Sequence, residues 1–196
     1  PDAVIEGRLL EAIGRIDLII TMGTRAARAF RDRGVATRIR VVAGGIDSAR
    51  FFRKSAPAQT DLVFVGRLVP VKRVDLFLRA VYLARKTLPD LTATIVGDGP
   101  LRTFLEKIAA ELGLKDCVMF AGQHSDVEAW LRRARLFVLT SDSEGLALSL
   151  MEAMHCGLPA VVSDVGDLGD LVEDGGYAYL VAHRTPEEFA RRFIQC

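Results

Sequence analysis

The sequence predicts an α/β fold, a doubly wound parallel sheet with helices on both faces, on three observations. From Asp61 onward, short apolar runs of strand length alternate with stretches of helical spacing, the pattern of successive βαβ units. The runs are continuous rather than alternating, and 50% of the residues are hydrophobic, as strands buried on both faces require. The Gly-rich and polar turns follow strands: Gly66-Arg67, Gly97-Asp-Gly-Pro100, Gly122-Gln-His-Ser125 and Ser141-Asp-Ser-Glu-Gly145. Right-handed crossovers bring all strand carboxyl ends to one edge, and such sheets bind ligands in the crevice beyond that edge. Turns before strands, such as Lys86-Thr-Leu-Pro-Asp90, carry no comparable concentration.

Each element has a local reason. Gly7 to Arg15 spaces Leu9, Leu10 and Ile13 as a helix does. Asp17-Leu-Ile-Ile-Thr21 has strand length, and Thr24 is placed to cap a helix that runs to Arg33 and stops at Gly34. Arg38 to Ala43 is a second strand, ending in Gly44-Gly45. Ser48 to Thr60 has no steady period and holds Pro57, so a linker is placed there, at 51–60. The regular part then reads strand 61–65, helix 74–87, strand 91–96, helix 101–112, strand 117–121, helix 127–133 and strand 136–140. After the polar turn come a helix ending at Gly157, strand 160–162, a short helix at 168–172 and strand 177–181. Pro186 opens a last helix. Trp130 and most of the phenylalanines occupy apolar-periodic positions and are expected in the core. The chain opens at Pro1 inside a helical pattern and stops at Cys196 inside another, so it reads as a piece of a longer protein.

Composition narrows the function classes. Net charge is +1, which leaves no bulk footprint for nucleic acid. The 3 cysteines, Cys117, Cys156 and Cys196, are too few and scattered for a disulfide framework or a zinc site and fit a reducing, cytoplasmic compartment. No apolar run reaches the ~18 residues of a membrane span. No Ser-His-Asp arrangement, metal-ligand cluster or P-loop spacing stands out.

The candidate chemistry gathers at the predicted ligand edge. A helix that starts straight after a strand turns free N–H groups and a positive dipole end toward whatever lies above the sheet, so Gly145, Leu146, Ala147 and Leu148 mark an anion site. Arg67 and Lys72 lie in the loop after a strand, where Gly66 admits close backbone approach; the planar fork of Arg and the point charge of Lys both suit phosphate. Gly97 and Gly122 open two further strand-end turns. Glu144 and Glu152 are 8 residues apart, roughly 12 Å along a continuous helix. That separation excludes a close acid/base pair and suits two grips on an extended ligand. Glu152 lies among apolar neighbours, where a carboxylate needs donors such as a ribose diol. His124 follows a strand but reads as an ordinary exposed loop histidine, and His155 as a structural residue near a helix C-terminus.

These residues resemble a known family. Glu144-Gly145, the seven-residue gap to Glu152 and Ala153-Met-His-Cys-Gly-Leu-Pro159 are similar to the signature of retaining GT-B glycosyltransferases, family 4 (glycosyl transferases group 1). Val65-Gly-Arg-Leu-Val-Pro-Val-Lys72, Val96-Gly-Asp-Gly-Pro100 and Ser163-Asp164 extend the similarity, which covers roughly Arg38 to the C-terminus. It implies a Rossmann-like C-terminal domain that binds a nucleotide-sugar donor, UDP- or GDP-linked. Residues 1–50 would be the tail of the acceptor-side domain and the crossover, and 61–196 the donor domain. The resemblance gives Arg67 and Lys72 the diphosphate, Glu152 the ribose hydroxyls and Glu144 a place near the donor sugar. It further implies hexosyl transfer with retention, no bound metal or other cofactor, and an acceptor that is a glycan, a lipid or a small molecule. Missing most of its acceptor domain, the chain alone is expected to bind nucleoside diphosphate weakly and not to transfer sugar. The resemblance fits a cytoplasmic protein or one held peripherally on the cytoplasmic face of a membrane.

Two positions depart from the family pattern. Leu146-Ala147 stand where Phe-Gly is common, which implies a narrowed or shifted donor site. Arg73 stands where glycine commonly follows the loop lysine, which implies an extra cation beside the site. Two other readings fit the same fold: a non-catalytic nucleotide-binding or regulatory domain, and a GT-B epimerase or phosphorylase, which the Glu-x7-Glu spacing disfavours.

Overall fold

The computed structural model describes residues 3–42, 44–54, 56–172 and 176–196. It consists of two compact units, Pro1–Gly45 and Ile46–Cys196.

The first unit holds α1 (Ala3–Ile13), β1 (Leu18–Thr21), α2 (Thr24–Asp32) and β2 (Arg38–Val41). β1 and β2 pair in parallel, Leu18 against Arg38 through Thr21 against Val41. Ile19 and Thr21 are buried on one face of β1 and Ala27 is buried from α2. Thr24 is the first residue of α2 rather than its cap. Gly23 takes the cap position in extended backbone, and the Thr21 hydroxyl donates to the Gly23 carbonyl at 3.1 Å. Gly34 ends the helix in the left-handed conformation (φ 75°), as its position predicts. The expected strand residue Ala43 lies outside the described residues.

The second unit is a six-stranded sheet in the order β5-β4-β3-β6-β7-β8, with every pairing parallel among the described residues. The strands are β3 (Thr60–Val65), β4 (Ala93–Val96), β5 (Val118–Gly122), β6 (Ala134–Leu139), β7 (Ala160–Ser163) and β8 (Ala178–Val181). The helices are α3 (Val74–Ala84), α4 (Arg102–Glu111), α5 (Val127–Arg132), α6 (Leu148–His155) and α7 (Pro186–Gln195). The doubly wound parallel sheet expected from the alternating pattern is present. The four central strands are almost wholly buried, which explains their continuous apolar runs, while edge strand β5 leaves Met119 exposed.

Helix α3 packs on α7 through an aromatic chain. Phe77 lies 6.1 Å from Phe64 of β3 and 6.2 Å, edge to face, from Phe193 of α7. Phe51, Phe64, Phe77, Phe137, Phe189 and Phe193 are buried, whereas Phe52 and Phe104 are exposed. Segment 48–60 lies within the second unit and places Phe51 in its core.

Helix boundaries shift where the sequence carries no stop signal. α3 ends at Ala84, three residues early, where the backbone tightens into a turn: the Lys86 N–H donates to Leu83 at 3.2 Å and the Thr87 N–H to Ala84 at 3.0 Å. The expected helix at 168–172 is a single 3-10 turn, Leu168–Asp170. α6 begins at Leu148, so Glu144 lies in the preceding loop and the distance for a continuous helix does not apply to it and Glu152.

The chain passes from β3 to β4 and β5 on one side and from β6 to β7 and β8 on the other. The strand order therefore reverses between β3 and β6. That reversal opens a crevice over the carboxyl ends of these two neighbours, and the loops that follow them form its walls.

Candidate functional site

The loop after β3 runs from Gly66 to Arg73 and contains a 3-10 turn, Pro70–Lys72. It is tied to its neighbours by backbone bonds. The Gly66 N–H donates to Val96 at 3.0 Å, Leu68 to Asp98 at 2.9 Å, and Leu101 donates back to the Leu68 carbonyl at 3.1 Å. Gly97 has φ 143°, and a Cβ there would lie 1.9 Å from the Gly66 carbonyl oxygen, so only glycine lets the two loops meet. The Gly97 N–H in turn donates to Gly122 at 2.7 Å. Gly66, Gly97 and Gly122 thus form one continuous floor.

From the other wall, the buried Thr140 hydroxyl bonds to the carbonyls of Lys72 (3.1 Å) and Arg73 (2.9 Å). The Asp142 N–H donates to Val71 at 2.8 Å. These contacts hold the Lys72 ammonium 2.6 Å from Glu144 Oε1, which also accepts from the Ser141 hydroxyl at 2.5 Å. The Glu144 side chain is 8% exposed and that of Lys72 20%. Lys72 and Glu144, both chosen from sequence, therefore touch across the reversal between β3 and β6.

Arg67 lies on the other side of the loop. It is exposed and lines a cleft of about 470 Å³ with Val65, Gly97, Asp98, Gln123, His124 and Val127. His124 is fixed rather than loosely exposed: its ring lies 4.6 Å from Trp130, Nε2 is 3.1 Å from the Ala121 carbonyl, and Nδ1 is 3.3 Å from Asp126. Trp130 is partly buried against the core at this point. Gln123 and Val127 were not singled out from sequence; Gln123 directly follows β5 on the ligand edge, and Val127 opens the next helix, α5.

Glu152 stands apart from Glu144, within the electrostatic reach of Arg50 and Glu128. Burial pushes its carboxyl above the ordinary range; Arg50 opposes that shift and Glu128 adds to it. Arg50 is engaged elsewhere, with its Nε donating to Glu128 at 2.7 Å and a terminal nitrogen to the Ser125 carbonyl. The same bond draws Glu128 below the usual carboxylate range. The Glu152 carboxylate accepts no hydrogen bond among the described residues, and so keeps two acceptor oxygens for donors from outside the protein.

Gly145 is exposed, Leu146 half-buried and Leu148, the first residue of α6, 50% exposed. Ala147 occupies the cap position with no side-chain cap bond, which leaves the first N–H groups of α6 to an outside acceptor. Ala147 is 3% exposed and its methyl packs in the core. Arg73 departs from expectation. It adopts φ 47°, ψ 45°, the glycine-favoured region its family position implies, at a strain of order 1–2 kcal/mol for an L-residue. Its charge is not free: it binds Asp75 through two nitrogens (3.1 and 3.2 Å) and Asp142 (3.2 Å).

Cys117 and Cys156 are buried thiols and Cys196 is exposed. Among the described residues no group of three or more His, Cys, Asp or Glu is placed to hold a metal ion, and no helix is long and apolar enough to cross a membrane.

The chain can be set beside known proteins. It is 38% identical over 177 residues to a D-inositol 3-phosphate glycosyltransferase of Frankia alni, covering 78% of this chain and 43% of that one. It is 33% identical over 179 residues to the lipopolysaccharide core biosynthesis mannosyltransferase LpsB of Rhizobium meliloti, covering 83% and 50%. The chain thus spans about half the length of the curated relatives it matches. Among solved structures, HepE of Anabaena in complex with UDP superposes with a TM-score of 0.83 at 25% identity over 92% of this chain and 54% of that one. The TarM enzyme of S. aureus superposes with a TM-score of 0.89 at 23% identity over 97% and 38%, a likeness of fold alone. These establish the Rossmann-like C-terminal half of a GT-B fold. The profile of the family described as glycosyl transferases group 1 matches residues 46–196, the whole second unit, and by that match the chain belongs to the group 1 glycosyl transferases.

Proposed function

We propose that the chain is the donor half of a retaining glycosyltransferase, which holds a nucleoside diphosphate sugar across the crevice between β3 and β6 for transfer of its hexosyl group. The observation that carries this reading is the Lys72–Glu144 pair, held at 2.6 Å at the point where the strand order reverses. A cation fixed there can neutralise charge on the leaving diphosphate, together with Arg67 and the uncapped N-terminus of α6. Preorganised charges of this kind need no rearrangement as the glycosidic bond breaks, so their stabilisation counts fully in the transition state.

The two carboxylates take different parts. Glu144, bonded to Lys72 and Ser141, accepts from hydroxyls of the donor sugar. The Glu152 carboxylate, with no hydrogen bond among the described residues and a pKa raised by burial, accepts from the ribose diol. The cleft beside Arg67 receives the base. No protein group is assigned as nucleophile, and the departing diphosphate takes the acceptor's proton on the same face. The UDP-bound neighbour makes uridine diphosphate the first nucleotide to test.

Calorimetric titration of UDP, GDP and ADP tests the reading. At least one is expected to bind, and Lys72→Ala is expected to weaken that binding by about tenfold to a hundredfold, the loss of one charge-assisted contact. Indifference of all three titrations to Lys72→Ala refutes the site. The chain alone is expected to show no sugar transfer from the matching nucleotide sugar; turnover by these 196 residues contradicts the assignment of the acceptor site to the rest of the protein.

A further inference from the structure

Arg73 is the only non-glycine residue with positive φ among the described residues. A side chain in that conformation persists when its surroundings over-determine it, and those surroundings are specific. The Arg73 N–H donates to Pro70 at 3.1 Å and its carbonyl accepts from Thr140 at 2.9 Å. Its guanidinium is divided between Asp75 at the start of α3 and Asp142 in the loop after β6. Arg184, in the loop after β8, reaches the same Asp142 carboxylate at 3.7 Å. One carboxylate is therefore held by arginines from two different loops of the ligand edge.

These contacts run beside the proposed donor contacts. Lys72 and Arg73 are consecutive, and they pair with Glu144 and Asp142 of a single facing loop, so two ion-pair rungs cross the crevice one residue apart. The outer rung is bidentate at Asp75 and suits a guanidinium fork; a lysine has neither the planarity nor the reach to both acids. It is also electrically balanced, with Arg73 and Arg184 against Asp75 and Asp142. It therefore adds geometry rather than field, and leaves Lys72 and Arg67 as the charges a phosphate meets.

We propose that Arg73, Asp142 and Arg184 are positioning residues for the donor, a clamp across the loops after β3, β6 and β8 that fixes where the Lys72 ammonium and the Glu144 carboxylate stand. The proposal rests on the reading of Lys72 as a diphosphate ligand. Glycine at position 73 would adopt the same backbone without strain but could not build the outer rung. The arginine thus exchanges backbone ease for a fixed crevice.

The test is calorimetric titration of UDP into the chain and its Arg73→Gly, Arg73→Lys, Asp142→Asn and Arg184→Ala variants, each also with Lys72→Ala, at two salt concentrations. Arg73→Gly and Asp142→Asn are expected to weaken UDP about fivefold to tenfold, the size of coupling between neighbouring sites. Arg184→Ala, at an exposed loop, is expected to weaken it less, and Arg73→Lys is not expected to rescue. The melting temperature of Arg73→Gly should match or exceed that of the parent, since strain is relieved. The salt dependence should be unchanged, and in the Lys72→Ala background the loss should vanish. An Arg73→Gly affinity within twofold of the parent overturns the clamp while leaving the donor reading intact. So does a loss that persists without Lys72 and flattens the salt dependence, which makes Arg73 a direct phosphate ligand. A loss accompanied by a lowered melting temperature in all four variants reduces the contacts to fold stability and also overturns it. If no nucleotide binds the parent, the donor reading fails and the clamp fails with it.

Discussion

Glu152 sits where burial raises the proton affinity of a carboxyl that the proposed function needs as an acceptor. A folded-state pKa above the unfolded one means that the fold holds the proton more tightly than the open chain. Stability from this group is therefore full below the ordinary carboxylate range and falls as pH rises through the window up to the raised folded value. Replacing Glu152 by Gln is expected to raise the melting temperature at neutral pH and to flatten its fall across that window, while weakening UDP about tenfold. Thermal melts from pH 4 to 8 alongside calorimetry check both halves; a Gln variant that is less stable at neutral pH contradicts the assignment of burial as the dominant cause. Lys72 and Glu144 were legible in the sequence because they lie in loops that follow buried strands, and Glu152 because its neighbours along the helix are apolar. The duty of Arg73 was not: nothing in its neighbours' spacing announces a left-handed arginine, and its partner Asp142 lies 69 residues away.

The elements themselves were read correctly in kind and order, and their ends less well. Continuous apolar runs announce strands buried on both faces, whereas helix ends such as Ala84 depend on a backbone turn with no glycine to mark it. The loops hold a second layer that periodicity does not reach. Gly166, with φ 55°, faces the Glu144 carbonyl so closely that a Cβ there would lie 1.7 Å from its oxygen. Gly166→Ala is expected to cost about 1–3 kcal/mol in urea unfolding and to weaken UDP by displacing the Glu144 loop. An unchanged UDP affinity in this variant separates Glu144 from the donor. Away from the ligand edge, Phe77 bridges β3 and α7, so Phe77→Ala should cost about 3–5 kcal/mol with little change in the affinity of the protein that remains folded.

At the scale of the molecule, the second unit joins two halves, β3-β4-β5 and β6-β7-β8, along the strand seam between β3 and β6, with α7 of the second half packed on α3 of the first. The doubly wound sheet was predictable from alternation alone, since parallel pairing and right-handed crossovers leave few arrangements. Which two strands adjoin at the seam was not, because strand order carries no local signal. On the proposed reading the nucleotide spans that seam, and its binding opposes separation of the halves. UDP at one hundred times its dissociation constant should add about 2.7 kcal/mol and raise the melting temperature by roughly 5–10 °C for a unit of this size. A chain beginning at Ile46 should show the same shift; its loss would place a ligand group before that residue. The seam also imposes an order in time. Lys72 leaves the ribosome 72 residues ahead of Glu144, an interval of roughly 4–14 s at ordinary rates of synthesis. Through that interval the ammonium lacks the Glu144 carboxylate and the crevice has only one wall. On the proposed reading, the growing chain therefore has no donor site until the second half arrives, and the capacity to bind appears in one step with the closing of the sheet.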